Sequence, residues 1–211
     1  MNPGEARQLV RGLYAVTPDG AATGRLLDQV RTALQGGARL VQYRNKSDDS
    51  QVKLEQARAL QALCSEHAAA FIVNDDVAIA AASGAAGVHL GRDDGSLAHA
   101  RAALGPGKLI GISCYDDLGL ARAAAKAGAD YVAFGSFFPS RVKPGAVRAS
   151  LALLESAKRE LALPIVAIGG ITSANGGALV RAGADALAVI SALFDEPDVA
   201  AAAARFTPLF D

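Results

Sequence analysis

Ala127-Gly128-Ala129-Asp130-Tyr131-Val132-Ala133-Phe134-Gly135 and Ala182-Gly183-Ala184-Asp185-Ala186-Leu187-Ala188-Val189-Ile190 are one phrase written twice. Each begins at the end of an Ala/Leu-rich helical stretch. A glycine follows, which can stop a helix in the left-handed conformation at little cost. A short apolar run comes next, the mark of a strand buried on both faces. Looser copies begin at Gly36-Gly37-Ala38-Arg39 and Gly84-Ala85-Ala86-Gly87.

Working outward, the apolar runs are 12–17, 39–44, 70–74, 87–90, 109–113, 131–135, 164–168 and 186–190. Helical segments separate them, so the chain reads as repeated βα units on a parallel sheet. Eight units in 211 residues predict a closed (β/α)8 barrel, one catalytic domain over residues 1–211. A doubly wound sheet is the alternative topology. One connection is long, Gly135–Ala149, and long connections are commonly binding loops or lids.

Composition excludes several classes. The chain is 51% hydrophobic and 20% charged, so it can bury a core. Lys+Arg and Asp+Glu are both 21, which gives no overall pull toward nucleic acid or membrane. Aromatics are 5% and Trp is absent, so a base-stacking platform is not expected. Cys64 and Cys114 are too few and too far apart for a disulfide scaffold or a thiolate zinc cage. The first residues lack a signal-peptide apolar region, and no apolar run nears the ~20 residues that span a bilayer. The expectation is a cytoplasmic enzyme or binding domain.

In a barrel of this kind the site lies at the C-terminal strand ends. Alternation along Arg39–Lys46 places Leu40, Gln42 and Arg44 on one face and Val41 and Tyr43 on the other. Gln42 and Arg44 then face the barrel mouth. A buried Arg needs an anion, either a neighbouring Asp or a ligand phosphate with Lys46 as second cation. Asn74-Asp75-Asp76 ends the third strand, and Asp94 follows the fourth. Asp76 and Asp94 read as helix N-caps. Asp75 is left over. Neighbouring strands are about 4.8 Å apart, so Asp75 and Asp94 can converge and hold Mg²⁺ with substrate phosphates. His89 reads as a hydrogen-bonded interior residue. Gly169-Gly170 and a short helix at Ser191–Phe194 suit a phosphate cup, the lesser alternative being that the glycines merely turn the chain. Lys143 lies in a proline-stiffened loop and is either solvated or turned toward a phosphate.

The ordered set Gln42-Tyr43-Arg44-Asn45-Lys46, Asn74-Asp75-Asp76, Gly87-Val88-His89-Leu90-Gly91 with Asp94, Gly111-Ile112-Ser113, Phe134 through Pro144, Ile168–Ile171 and Ile190-Ser191 resembles the thiamine phosphate synthase family. The resemblance runs from Tyr14 to Ser191. It implies a Mg²⁺-dependent transferase that joins hydroxymethylpyrimidine diphosphate to a thiazole phosphate, or its carboxylated form, by dissociative loss of pyrophosphate. Its implied catalytic residues are Arg44, Lys46 and Lys143. Asp75 and Asp94 match its metal ligands. The implied substrate-binding set is Gln42, Tyr43, Arg44, Asn45, Lys46, Asn74, Ser113, Ser140, Arg141, Val142, Lys143, Gly170, Ile190 and Ser191. Some relatives carry Thr where this chain has Ser140 and Val142, and a second Lys where it has Pro144. The expected partners are small-molecule substrates, with a homodimer as one option and no nucleic acid or membrane. A thiazole tautomerase shares the barrel but carries a proton-transfer His where this chain has Tyr115. A non-catalytic phosphometabolite sensor is the other alternative.

Overall fold

The computed structural model describes residues 3–139 and 147–211. Among the described residues there are eight strands: β1 Gly12–Val16, β2 Leu40–Tyr43, β3 Ala70–Asn74, β4 Gly87–Leu90, β5 Leu109–Tyr115, β6 Tyr131–Phe134, β7 Ile165–Ile168 and β8 Ala186–Val189. All pair in parallel, in sequence order, and β8 returns to β1 with Leu13 beside Leu187. The barrel is closed, which excludes the doubly wound alternative. The helices are α1 Pro3–Leu9, α2 Thr23–Gln35, α3 Ser50–Glu66, α4 Val77–Ser83, α5 Leu97–Leu104, α6 Leu118–Lys126, α7 Leu151–Glu160, α8 Ser173–Arg181, α9 Ser191–Phe194 and α10 Val199–Ala204. None among the described residues is long and apolar enough to cross a membrane.

Strand alternation divides the core in two. Val41, Tyr43, Phe71, Val88, Ile110 and Val132 pack outward against the helices. Tyr14, Leu40, Ile72, Leu109, Tyr131 and Val166 fill the barrel interior. A small residue makes one large one possible: a Cβ on Gly111 would lie 2.0 Å from Cζ of Tyr131. The Tyr131 ring therefore occupies the place of the missing side chain.

Side-chain caps start most helices. Asp49, Asp76, Ser96, Asp117, Ser150 and Asp198 each accept from a backbone N–H of the first turn, and Thr172 forms a capping box with Asn175. Asp94 is not among them, because Ser96 caps α5 and leaves that carboxylate at the rim.

The twice-written phrase does more than stop helices. Gly128 and Gly183 adopt φ of 90° and 116°, positive values that a glycine reaches without strain after a helix end. The aspartate two residues on then ties the bottom of the barrel. Asp130 Oδ2 accepts from Ile110 N–H at 2.8 Å and pairs with Arg101 of α5. Asp185 Oδ2 accepts from Ile165 N–H at 2.9 Å, and its other oxygen accepts from Lys158 of α7 at 2.7 Å. Each aspartate thus binds the strand before it and the helix that leads into that strand.

Candidate active site

The strand ends meet at the mouth as the alternation requires. Gln42 is buried inside, where its Nε2 donates to the Tyr14 hydroxyl at 3.0 Å. Arg44 leaves the strand beside the β1–α2 connection and forms an ion pair with Asp19. Of the two partners open to it, the neighbouring aspartate is the one present. Asp19 also accepts from Lys46 N–H at 3.0 Å, so one carboxylate fixes the whole Arg44–Lys46 segment. Thr17 accepts from Arg44 N–H at 2.9 Å and completes the tie. Sequence reasoning missed Asp19. The signal was its place in Pro18-Asp19-Gly20, a turn at the C-terminal end of the first strand.

Lys46 extends across to β3, where Nζ donates to Asp75 Oδ2 at 2.5 Å. Asp75 adopts φ of 65°, an uncommon conformation for a non-glycine residue, which turns it out of the strand line. Its N–H is held by His89 O at 2.8 Å. Asp94 folds back onto Gly91 N–H at 2.8 Å, and a Cβ on Gly91 would crowd that carboxylate. The two carboxyls come within hydrogen-bonding reach of each other. Burial and the facing Asp94 push the Asp75 carboxyl above its ordinary value, against the pull of Lys46. Burial also acts upward on Asp94, but the bonds from Asp75 and Gly91 and the Lys46 charge leave it lowered. The opposite directions are how two facing carboxyls that repel one another divide the cost of ionising. A cleft of about 510 Å³ opens over this pair, lined by Lys46, Asn74, Asp75, Asp76 and Asp94 among others.

Behind the carboxylates the barrel interior is polar along one line. The Tyr14 and Tyr131 hydroxyls are 3.0 Å apart. Tyr131 meets His89 Nδ1 at 3.0 Å, and His89 Nε2 meets Ser113 Oγ at 2.9 Å. Burial lowers the His89 pKa to about 4, partly offset by Asp94, so the ring is neutral at pH 7.

Two further residues of the sequence-derived set, Tyr43 and Asn45, line the same cleft and also stiffen its wall. Tyr43 stacks on Phe71 in the outer layer and donates to Gln56 Oε1 at 2.7 Å. Asn45 donates to that same oxygen and to Tyr43, and its own oxygen accepts from Ser47 N–H. Both brace the β2 connection against α3 through Gln56, the side to which strand alternation turns the Tyr43 ring.

On the opposite side, Ile168 lies beside Ala188, so the segments carrying Gly170 and Ile190 leave neighbouring strand ends. Ser191–Phe194 is the short helix expected there. The glycines have a packing reason of their own. Gly170 has φ of 64°, and a Cβ on it would lie 2.3 Å from Pro139 O. The long connection crosses here: Phe138 N–H donates to Gly169 O, while Ser136 pairs with Val147 and Ala149. Ser140, Arg141, Val142 and Lys143 lie outside the described residues. Tyr115, at the position that distinguishes the tautomerase, accepts from Arg92 N–H and lies under its guanidinium.

Comparison with known proteins gives a consistent answer. A family model described as thiamine monophosphate synthase matches residues 13–193. A thiamine-phosphate synthase of Thiobacillus denitrificans is 58% identical, covering 94% of each chain. That of Chromobacterium violaceum is also 58% identical, over 92% of this chain and 93% of its own. A thiamine phosphate pyrophosphorylase structure from Pyrococcus furiosus superposes with a TM-score of 0.85 at 34% identity, covering 97% of this chain and 96% of that one. A likeness of this extent, in sequence and in three dimensions, means that the chain belongs to the thiamine monophosphate synthase family, transferases of thiamine biosynthesis.

Proposed function

We propose that this barrel, as one catalytic domain over residues 1–211, makes thiamine phosphate from hydroxymethylpyrimidine diphosphate and a thiazole phosphate at the mouth around Gln42, Arg44, Lys46, Asp75 and Asp94. The observation that carries the reading is the convergence of two cations and two facing carboxyls beside a buried polar line, all at one set of strand ends.

The bond from the pyrimidine methylene carbon to the diphosphate oxygen breaks first, and its electron pair leaves with pyrophosphate. The electron-rich pyrimidine ring carries the resulting cation until the thiazole nitrogen attacks that carbon. Arg44, Lys46 and Lys143 stabilise negative charge building on the departing group. Gln42, Asn74 and Ser113 hold the pyrimidine diphosphate, while Gly170, Ile190 and Ser191, with Ser140, Arg141 and Val142, receive the thiazole phosphate. Holding both partners in one mouth removes most of the entropic cost of their meeting. No general base is required, and Tyr115 is already engaged with Arg92.

Among the described residues there is no group of three or more His, Cys, Asp or Glu arranged to enclose a metal. Mg²⁺ does not need one, since it binds through one or two carboxylates and completes its shell with phosphate oxygens and water. Asp75 and Asp94 fit that requirement, and bound Mg²⁺ would neutralise diphosphate charge between them.

The test is direct. Purified protein is mixed with both substrates and Mg²⁺, and thiamine phosphate and pyrophosphate are measured. Stoichiometric formation of both is expected. Absence of product with folded protein would refute the reading.

A further inference from the structure

Five side chains join end to end through the barrel interior, from Gln42 through Tyr14, Tyr131 and His89 to Ser113. The two tyrosines and the histidine are almost wholly buried. Tyr14 and Tyr131 meet edge to face, and the His89 ring stacks on Tyr131 at 5.5 Å. The end members are the two that reach the mouth. The middle side chains have no place in the reaction itself, and Tyr14 and His89 bear on it through the end members that they hold.

Such a chain has a direction, because each hydroxyl has one proton and a neutral imidazole donates from one nitrogen only. Gln42 donates Nε2–H to the Tyr14 oxygen. Among the described residues, Tyr131 is then the acceptor open to the Tyr14 proton. Tyr131 has accepted one bond and passes its own proton to His89 Nδ1. A neutral ring that accepts at Nδ1 carries its hydrogen on Nε2, so it donates to Ser113 Oγ. Ser113 has thereby used an acceptor position, and its proton is free to point outward. At the other end Gln42 keeps its carbonyl oxygen and one N–H for the mouth.

We propose that Tyr14, Tyr131 and His89 are positioning residues that lock these two ends in complementary polarity. Ser113 is held as a donor, suited to an anionic diphosphate oxygen. Gln42 is held as an adjacent donor and acceptor, suited to an aminopyrimidine edge. Reversing the Gln42 amide would reverse every bond in the line and turn the Ser113 proton inward, away from the anion. The two ends are therefore set together, although more than one strand separates them. Gly111 belongs to the device as well, since its missing side chain makes room for the Tyr131 ring. This inference rests on Gln42 and Ser113 as pyrimidine-diphosphate residues.

Tyr131→Phe cuts the line at its centre while keeping the ring. Affinity for the pyrimidine diphosphate is measured by calorimetry, and KM for each substrate by turnover. The expected result is weaker pyrimidine-diphosphate binding, on the order of tenfold, with KM for the thiazole phosphate unchanged. Tyr14→Phe should act in the same direction, which guards against one variant that folds poorly. His89→Gln, whose amide can still donate toward Ser113, should retain more affinity than His89→Leu. Ser113→Ala combined with Tyr131→Phe should cost less than the product of the two single losses. Wild-type affinity in both Tyr→Phe variants, or multiplicative losses with both KM values raised equally, would overturn the inference alone. A wild type that neither binds nor converts the pyrimidine diphosphate would overturn it together with the proposed function.

Discussion

Arg44 shows how the fold can hold ready a residue for the chemistry proposed for it. Its guanidinium is about one-fifth exposed and already has a carboxylate partner in Asp19. A diphosphate arriving at the mouth therefore meets a cation whose direction is fixed before binding, so less side-chain entropy is lost. Arg44→Ala should weaken pyrimidine-diphosphate binding by about 2 kcal/mol, as expected for a charge-assisted contact. Asp19→Asn keeps an acceptor and should cost less. If Asp19 acts only through Arg44, the double variant should bind no worse than Arg44→Ala, and a calorimetric cycle would check this. At this scale the sequence is half legible. Alternation along β2 assigns Gln42 and Arg44 to the mouth and sends Tyr43 outward. What a side chain meets there is set by other strands. Asp19 is 25 residues from Arg44, and Tyr131 is 117 from Tyr14. No local pattern contains such pairs. Spacing could likewise make Asp94 a helix cap, and only Ser96 occupying that role releases it to the rim.

Helices and strands were far more legible, because period, glycine stops and cap residues act over a few neighbouring positions. Observed strand limits differ from the expected ones by a residue or two, as the ends of β2, β5 and β8 illustrate. The function of the repeated aspartate was not legible, since its partners are the preceding strand and helix. That function predicts a large effect. Asp130 is buried, and Asp130→Ala would strand the Arg101 charge and the Ile110 N–H together. Arg101 keeps some exposure, so the loss should be about 3 kcal/mol, the low end for a broken buried pair, measured by denaturant unfolding. Asp130→Asn keeps an acceptor for Ile110 and should lose less. Gly170 belongs to this scale too. Its left-handed backbone and the contact with Pro139 show that it seats the β6–α7 connection on the end of β7. Gly170→Ala should therefore displace that connection. KM should rise for both substrates, since Lys143 is proposed to serve one and Ser140 the other. A rise confined to the thiazole phosphate would instead make the glycine a contact for that ligand alone.

For the molecule as a whole, the closed sheet is what assembles the site, and the carboxyl pair shows it best. Asp75 comes from the end of β3 and Asp94 from the connection after β4, and they face each other only in the folded barrel. An unfolded chain holds no such pair, so a ligand that needs both should bind the native state alone and stabilise it by mass action. Mg²⁺ with pyrophosphate, the proposed product, is a suitable probe because it calls for no turnover. At a concentration near 100 times the dissociation constant, linkage gives about 2.7 kcal/mol, or about 5–10 °C in Tm for a chain of this size. Pyrophosphate alone should do less, because the facing carboxyls would repel it. Asp75→Asn and Asp94→Asn should each abolish most of the Mg²⁺-dependent increment. Without ligand they should not be less stable than wild type to any large degree, since each relieves the crowding of two acids. Their losses should not add, because both carboxylates would act through one ion. Thermal unfolding with and without a chelator measures all of this independently of catalysis. An increment that survives in both variants would mean that the ion, if it binds, is held elsewhere, and that Asp75 serves chiefly as the partner of Lys46.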